Sequence, residues 1–167
     1  MELYLLRHAI AVQRGTEGYD HDSDRPLTPK GAKKMRRIAQ GMLALELSFD
    51  IILSSPYLRA KETAEIVAAV FHEQKQLKFT DNLAATANEE DLVKELKKEY
   101  TSFNSILLVG HEPFLSSLVS KLIAGVDTVA ITLKKGGLCK LTVESMTFGR
   151  CATLEWLLAP THLTRIS

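Results

Sequence analysis

The stretch Leu3-Tyr4-Leu5-Leu6-Arg7-His8 combines a short apolar run with two basic residues. Four apolar residues are too few for a helix, and they predict a buried strand that ends at Arg7 and His8. The segment that follows, Gln13 to Arg25, is polar and includes glycine, which is typical of a loop. The sequence therefore predicts a buried strand whose carboxyl end carries basic side chains and leads into a loop.

Two later segments repeat the pattern of a buried strand, a polar turn and a helix. Phe49 to Leu53 predicts the second strand, which Ser54-Ser55-Pro56 ends, with Ser55 capping the next helix and Pro56 beginning it. Ser105 to Val109 predicts another strand, from which Gly110-His111-Glu112-Pro113 leads into a helix that ends near Ala124. Alternation of this kind is typical of a parallel sheet covered by helices.

The remaining segments complete an α/β pattern. Thr28-Pro29 predicts the start of a helix whose apolar residues recur at helical spacing from Ala32 to Met42. Leu138 to Glu144 and Cys151 to Leu158 alternate polar and apolar residues and predict an antiparallel pair. The other predicted elements are a short strand over Leu77–Phe79 and an amphipathic helix over Glu89–Tyr100. We expect one three-layer α/β/α domain over residues 1–167, with a mostly parallel sheet and antiparallel edge strands.

The composition excludes several classes of protein. The chain is 46% hydrophobic and 25% charged, as is usual for a globular protein, and no stretch approaches the ~20 apolar residues of a membrane span. Two cysteines are too few for a disulfide framework, and the first residues lack the features of a signal peptide. The formal charge of +1 gives no overall attraction for nucleic acid. We therefore expect a cytoplasmic protein that binds neither nucleic acid nor membranes.

Arginine and histidine side chains occur at the predicted carboxyl ends of the strands. Arg7 and His8 end the first strand, Arg59 lies in the first turn of the helix after the second, and His111 follows the fourth. Ligands of open α/β sheets bind beyond these ends, so we expect the four side chains at one edge. The guanidinium group of arginine donates two hydrogen bonds at once to phosphate oxygens, and a neutral histidine is a nucleophile near pH 7. The pattern favours phosphoryl transfer through a phosphohistidine intermediate.

Each of these residues also has a plainer interpretation. A histidine at the end of a strand is commonly a hydrogen-bonded structural residue, and Arg59 could pair with Glu62 or Glu65 on its own helix. The phosphate-site interpretation is favoured because independent segments of the chain bring these residue types to the same edge.

Four segments, in this order along the chain, resemble the motifs of the histidine phosphatase superfamily. The segments are Leu6-Arg7-His8-Ala9, Pro26-Leu27-Thr28-Pro29-Lys30-Gly31, Ser54-Ser55-Pro56-Tyr57-Leu58-Arg59-Ala60-Lys61-Glu62-Thr63-Ala64 and Val109-Gly110-His111-Glu112-Pro113. The hairpin through Trp156-Leu157-Leu158-Ala159-Pro160 is also similar, and the short chain resembles the branch of small phosphohistidine phosphatases called SixA.

The resemblance implies a phosphoglycerate mutase-like fold and a role for each of the four residues. His8 would be the nucleophile that takes the phosphoryl group. Arg7, Arg59 and His111 would bind its oxygens and stabilise the transition state. The resemblance also implies a reaction without metal or cofactor, in which water hydrolyses phospho-His8 in a second step.

Two departures from the family pattern bear on this expectation. Ala9 replaces the usual glycine after the histidine, so a methyl group could shift the loop or narrow the pocket. Larger members carry a glutamate as general acid after the third strand, whereas Leu83-Ala84-Ala85-Thr86-Ala87-Asn88 offers none. An alkoxide leaving group needs that proton, but a phosphorylated imidazole can be protonated on its other nitrogen. The gap therefore favours a phosphoramidate over a sugar phosphate.

The predicted loop contains alternating carboxylates at Asp20, Asp22 and Asp24, with His21 between them. A calcium loop of the EF-hand type would need glycine where Arg25 stands and glutamate where Gly31 stands, so that interpretation fails. The loop could fold over the site and supply a carboxylate as an acid. A solvated loop is the commoner arrangement.

Three further features have open interpretations. The basic run Lys30, Lys33, Lys34, Arg36 and Arg37 could dock an acidic partner, although a solvated helix face is commoner. Glu112 could orient the ring of His111 or contact the leaving group. Cys139 and Cys151 are not expected to face each other on the hairpin, which predicts two buried thiols.

The sequence as a whole favours a phosphohistidine phosphatase that acts on a histidine-phosphorylated signalling or phosphocarrier protein through phospho-His8. One alternative is a small-molecule phosphomonoesterase or mutase of the same fold. The other is a non-catalytic module that binds a phosphorylated partner without turnover. The two histidines favour catalysis, because binding alone could use arginine and lysine.

Overall fold

The computed structural model describes all residues, 1–167, and contains one sheet of six strands in the order β3-β2-β4-β1-β5-β6. The strands are β1 (Glu2–Arg7), β2 (Ile51–Ser54), β3 (Leu77–Phe79), β4 (Ser105–Gly110), β5 (Leu138–Val143) and β6 (Ala152–Leu158). β1, β2, β3 and β4 run parallel to one another, whereas β5 pairs antiparallel with both β1 and β6. The expected antiparallel strands therefore lie at one edge only, and the other edge strand is parallel.

Helices cover both faces of the sheet, which confirms the three-layer α/β/α prediction. They are α1 (Pro29–Ala44), α2 (Leu58–Phe71), α3 (Glu89–Glu99), α4 (Phe114–Ala124) and α5 (Pro160–Leu163), with 3₁₀ turns at Asp22–Asp24, Gln74–Gln76 and Asp81–Leu83. None of these helices has the length and apolar character that a membrane crossing requires.

Two buried clusters form the core, one on each face of the sheet. Leu3 and Leu5 of β1 pack with α3 and α4, whereas Tyr4 and Leu6 pack with α1, α2 and α5. The alternation follows from the period of two along a strand. Because both faces of β2 and β4 are covered, these strands consist mostly of apolar residues.

The start of α2 differs from the prediction. The sequence predicts Pro56 as the first helical residue and Ser55 as the cap, but the helix begins at Leu58 after Tyr57. The Ser55 hydroxyl accepts a hydrogen bond from the Tyr57 N–H at 3.2 Å and lies 2.7 Å from Nε2 of His111. Ser55 therefore shapes the turn between β2 and α2 instead of capping the helix.

The prediction of two buried thiols is correct for Cys139 and wrong for Cys151. Cys139 is buried in the core, but Cys151 is partly exposed just before the edge strand β6. Its thiol donates to the carbonyl oxygen of Thr147 at 3.3 Å in the hairpin turn. The position beside the edge strand is consistent with this exposure, since no further strand pairs with β6 on its outer side.

The strand register brings the predicted site residues to one edge. Arg7 of β1 pairs with Gly110 of β4, and Ser54 of β2 pairs with Val109, one residue earlier on β4. His8, Ser55 and His111 are the next residues after these strand ends. The parallel register therefore places the three strand ends side by side, as the sequence predicts.

Candidate active site

His8 lies at the centre of this edge and is held by its backbone and its ring. Its N–H donates to the carbonyl oxygen of Gly110 at 3.0 Å, and its ring nitrogen Nδ1 lies 2.7 Å from the Ala9 carbonyl oxygen. A carbonyl only accepts, so Nδ1 carries the proton and Nε2 keeps a lone pair. Burial, together with the nearby positive charges, lowers the pKa of His8 to about 3. The ring is therefore neutral near pH 7, with Nε2 as an unprotonated nucleophile.

Arg59 lies against the reactive side of His8. Its Nε–H donates to Nε2 of His8 at 3.3 Å, and the side chain is buried. The guanidinium also lies over the Tyr57 ring at 5.3 Å from its centroid. Burial lowers the pKa of Arg59, but an arginine stays charged at any physiological pH. The plainer interpretation of Arg59 as a surface partner of Glu62 or Glu65 is therefore wrong.

Asp22 of the loop binds the outer side of the Arg59 guanidinium. Arg59 donates from Nη2 to the Asp22 carboxylate at 2.8 Å and from Nη1 to the Asp22 carbonyl oxygen at 2.6 Å. Arg25 and Arg14 bind the second carboxylate oxygen at 2.7 and 3.1 Å. The interpretation of this segment as solvated is wrong for Asp22, because the loop folds back onto the site.

The same contacts determine the ionisation of Asp22. Burial raises its pKa, but hydrogen bonds and charges from Arg25, Arg59 and Arg14 outweigh burial and hold the pKa well below its ordinary value. A carboxyl group that stays ionised at every physiological pH has no proton to donate, so Asp22 is not suited to act as a general acid. Asp22 fits better as the fixed partner of Arg59.

Arg7 presents unused hydrogen-bond donors beside His8. Nη1 donates to the Leu133 carbonyl oxygen at 3.0 Å, whereas Nε is buried and has no partner within the protein. The backbone of Arg7 is held on both sides by Gly136 and Gly137 of the segment before β5. A buried donor without a partner is costly, so Arg7 is suited to a ligand that accepts hydrogen bonds.

His111 presents a second nitrogen without a partner. The ring lies 5.2 Å from the His8 ring, centroid to centroid, and is 1% exposed. Nε2 contacts the Ser55 hydroxyl at 2.7 Å, whereas Nδ1 is buried and has no partner. Burial and the nearby Arg59 lower the pKa of His111 to about 3, so this ring is neutral as well.

Thr63 of α2 ties the loop after His8 to the helix that carries Arg59. Its hydroxyl donates to the Arg59 carbonyl oxygen at 2.7 Å and accepts from the Ala9 N–H at 3.0 Å. The Ala9 residue is buried in the core cluster of α1 and α2. Its methyl group, unusual for the family, is therefore accommodated by packing.

The segment Leu83 to Asn88 after β3 contains no carboxyl side chain. Leu83 is buried in the core, and the first acidic residue after Asn88 is Glu89, which pairs with Lys121 at 3.3 Å. Glu112 accepts from the Ser116 N–H at 2.9 Å in the first turn of α4. This contact indicates a capping role for Glu112, which its position next to His111 does not reveal.

No cavity or metal cluster elsewhere competes for the catalytic role. The largest described cavity, about 550 Å³ between α1 and α2, contains none of the four predicted residues in its lining. No three His, Cys, Asp or Glu side chains are grouped in a way that could hold a metal ion. The candidate site is thus the open edge at which Arg7, His8, Arg59 and His111 meet.

Sequence reasoning predicted these four residues but missed the contacts around them. Asp22 and Ser55 reach Arg59 and His111 across 37 and 56 residues of the chain. Thr63 lies within a segment that resembles the family motif, one helical turn after Arg59. That spacing is the only signal in the sequence that points to the bridge made by Thr63.

Comparisons with known proteins agree with this site and fold. An uncharacterized protein of Picosynechococcus sp. is 37% identical over 142 residues, which is 84% of each chain. The phosphohistidine phosphatase SixA of Escherichia coli (strain K12) is 25% identical over 165 residues, 98% of this chain and 96% of that protein. A solved structure of the protein histidine phosphatase SixA complexed with tungstate matches with a TM-score of 0.83 at 22% identity, covering 98% and 99% of the two chains.

These matches confirm the phosphoglycerate mutase-like fold class that the sequence predicts. The pattern of the histidine phosphatase superfamily (branch 1) matches residues 3–87, which include His8, Arg59 and the loop between them. The chain belongs to the histidine phosphatase superfamily.

Proposed function

We propose that residues 1–167 act as one domain that removes the phosphoryl group from a histidine-phosphorylated signalling or phosphocarrier protein. The observation that carries the proposal is a pair of buried nitrogens without partners beside a neutral histidine. Nε of Arg7 and Nδ1 of His111 are buried and unpartnered, and Nε2 of His8 is unprotonated and contacted only by the Arg59 Nε–H at 3.3 Å. A phosphoryl group supplies acceptor oxygens for the two donors and an electrophilic phosphorus for the nucleophile.

The first step transfers the phosphoryl group to His8. The Nε2 lone pair attacks phosphorus, the P–N bond to the substrate imidazole breaks, and that nitrogen keeps the electron pair. The substrate imidazole leaves as a neutral ring because its other nitrogen already carries a proton. Phospho-His8 keeps the proton on Nδ1, which the Ala9 carbonyl oxygen holds at 2.7 Å. No proton is transferred in this step.

The second step returns His8 to its starting form. A water oxygen attacks the phosphorus of phospho-His8, the P–Nε2 bond breaks, and dihydrogen phosphate leaves. Nε2 regains its lone pair while Nδ1 remains protonated. In both steps Arg7, Arg59 and His111 hold the equatorial oxygens, and the positive charge of the arginines stabilises the loose transition state.

The lack of a carboxyl side chain in the segment Leu83 to Asn88 supports phosphohistidine as the substrate class. The leaving group of a phosphate ester is an alkoxide, which needs a proton from an acid. The segment Ala84 to Asn88 contains no carboxyl group that could supply this proton. Asp22 stays ionised beside the arginines, so it does not supply that proton either. A protonated phosphohistidine needs no such group.

A non-catalytic phosphate-binding module is the alternative outside the enzymes. The structure disfavours it because the Ala9 carbonyl oxygen keeps Nε2 of His8 unprotonated in a pocket of donors. Phosphate binding alone gains nothing from a lone pair that faces an anion. The free thiols of Cys139 and Cys151 support a reducing compartment, so we propose the cytoplasm as the place of action.

Turnover of three substrates tests the proposal. Wild type and His8→Ala are each mixed with a phosphohistidine-bearing carrier domain, a sugar phosphate and an aryl phosphate. We expect loss of phosphohistidine with wild type only. A quench without acid should trap phosphorylated enzyme with wild type but not with His8→Ala. Preference for the sugar phosphate would favour a small-molecule phosphatase. Binding of the carrier domain without turnover would exclude every enzymatic function.

Arginine variants test the phosphate-binding roles. Arg7→Ala and Arg59→Ala are each expected to lower kcat/KM by about 10²-fold or more, as for the loss of one preorganised donor. Arg36→Ala on the exposed side of α1 is the matched control and should change kcat/KM little. Near-normal rates in both site variants would mean that the arginine cluster does not bind the phosphoryl group.

A further inference from the structure

Helix α1 carries five cationic side chains and no carboxylate. They are Lys30, Lys33, Lys34, Arg36 and Arg37. The chain has 21 Lys and Arg against 20 Asp and Glu, so everything outside α1 carries four more carboxylates than Lys and Arg together. The net charge of +1 therefore combines one basic helix with an otherwise acidic protein.

The cations of α1 have no ionic partners. Other helices contain lysines that form ion pairs, such as Lys94 with Glu90 at 3.2 Å, although Lys97 and Lys98 of α3 do not. On α1 the one fixed contact is the hydrogen bond from Nη2 of Arg37 to the Thr164 carbonyl oxygen at 2.9 Å. Four of the cations line a shallow cavity of about 220 Å³ together with Thr164, and we call these four the cationic face: Lys30, Lys33, Lys34 and Arg37.

The cationic face is unfavourable for the helix itself. Lys30 and Lys34 are four residues apart, as are Lys33 and Arg37, and like charges at this spacing repel each other. Lys30 also lies in the first turn, where the helix dipole favours an acid, and α1 has no acid there. These unpaired like charges lower the stability of the helix, and no contact within the chain compensates for them. Such a pattern is expected at a surface that binds a partner.

The cationic face begins next to the candidate active site. The Thr28 N–H donates to the Ile10 carbonyl oxygen at 2.9 Å. Gly31 packs so closely on Ile10 that an added Cβ would lie 2.0 Å from the same oxygen. Ile10 is two residues after His8, so the start of α1 lies beside the loop of the nucleophile. A protein that presents a phosphohistidine to His8 can therefore contact the cationic face with the same surface.

We propose that the cationic face docks an acidic surface on the protein that carries the phosphohistidine. This inference rests on the proposed function and names the chemistry of its partner. From Lys30 to Arg37 the face extends about 11 Å along the helix, which matches a local patch on one protein. A nucleic acid duplex or an anionic membrane would extend past this face and meet the acidic remainder of the chain.

The test compares charge reversals on two substrates with the same scissile bond. The first variant combines Lys30→Glu, Lys34→Glu and Arg37→Glu. The matched control combines Lys75→Glu, Lys97→Glu and Lys98→Glu, three exposed lysines outside α1. The substrates are a histidine-phosphorylated phosphotransfer domain with an acidic surface, and free phosphohistidine.

We expect the α1 reversal to lower kcat/KM for the phosphorylated domain by about tenfold or more at low salt. It should leave kcat/KM for free phosphohistidine within about twofold, and the control should leave both within about twofold. The difference should shrink as salt rises, because the Debye length falls from about 10 Å at 0.1 M to 3 Å at 1 M. Thermal stability should stay equal or rise, since Lys30→Glu places an acid at the helix start.

Three results would overturn the inference. Equal losses in the α1 reversal and in the control would mean that only net charge matters. An equal loss on free phosphohistidine would assign the effect to the chemical site. Tighter binding of a DNA duplex or of phosphatidylserine vesicles than of the domain would exclude a protein partner.

Failure of the proposed function is distinguishable from failure of the docking inference. If wild type hydrolyses neither substrate, the phosphatase proposal fails. Calorimetric titration with the unphosphorylated domain then decides the docking question without turnover. Binding that the α1 reversal weakens about tenfold, and the control does not, supports the inference. Equal binding by all three proteins contradicts it.

Discussion

At the scale of single residues, Ser55 determines how His111 can act on an anion. The Ser55 hydroxyl accepts from the Tyr57 N–H at 3.2 Å, so its own proton is free to be donated to Nε2 of His111 at 2.7 Å. His111 is neutral and carries one ring proton, which this arrangement leaves on Nδ1. Nδ1 can then donate to a phosphoryl oxygen. The opposite tautomer would direct a lone pair at the anion and leave the serine proton without an acceptor.

Ser55→Ala is therefore expected to change the tautomer of His111 and to lower kcat by about tenfold, as for the loss of a group that orients a catalytic residue. Long-range ¹H–¹⁵N NMR of wild type should show a protonated Nδ1 and an unprotonated Nε2 on His111, and a mixture in Ser55→Ala. Ser54→Ala is the matched control, because Ser54 is equally buried and donates only to the Ser55 carbonyl oxygen. A proton on Nε2 in wild type would contradict this role.

At the scale of secondary-structure elements, Thr63 joins two parts of the site that are far apart in sequence. Its hydroxyl bridges the Ala9 N–H of the nucleophile loop and the Arg59 carbonyl oxygen of α2. Thr63→Val keeps the shape but leaves the buried Ala9 N–H without an acceptor, which should cost about 1–3 kcal/mol in unfolding free energy. Denaturant titration measures this cost. Thr63→Ser keeps the hydroxyl and should recover most of the loss in stability and in kcat/KM.

Little loss in Thr63→Val together with a larger loss in Thr63→Ser would mean that packing of the methyl group, and not the hydrogen bond, holds the loop on α2.

The loop between β1 and α1 is held on the site by Asp22. Its carboxylate and carbonyl oxygens bind Arg59, and the second carboxylate oxygen binds Arg25 and Arg14. Asp22→Ala removes the side-chain contacts to all three arginines. Amide hydrogen exchange over residues 19–25 should then become faster, while exchange in β1 stays unchanged. Asp20→Ala is the matched control, because Asp20 is exposed. Equal exchange in both variants would show that Asp22 does not anchor the loop.

The elements and the four central residues follow from the sequence, whereas the contacts around them do not. Apolar runs predict the strands, and a parallel register aligns their ends, so Arg7, His8 and His111 could be placed at one edge. The role of Asp22 does not follow from the sequence, since an exposed loop and a loop folded onto an arginine have the same local composition. Its partner Arg59 lies 37 residues away, and only the packed structure joins them.

At the scale of the whole molecule, the two buried histidines link the stability of the fold to pH. Burial, with the neighbouring cations, lowers the pKa of His8 and of His111 from 6.5 to about 3. In the unfolded chain both groups titrate near 6.5. Between pH 6.5 and 3 the unfolded chain thus binds more protons than the folded one, and acid favours unfolding. Their contribution to stability is complete above pH 6.5 and falls as the pH is lowered towards 3.

The free energy of unfolding should therefore fall between pH 7 and pH 5, with a slope that approaches about 1.4 kcal/mol per pH unit for each buried histidine. This window lies above the titration of most carboxylates. Denaturant titrations at pH 7, 6 and 5 measure the slope. The variant His8→Asn with His111→Asn should lose most of it. The matched variant His21→Asn with His72→Asn, at two exposed histidines, should keep it. If the variant His8→Asn with His111→Asn keeps the slope, both site histidines are already protonated in the folded protein at pH 5. His8 would then not be an unprotonated nucleophile in mild acid.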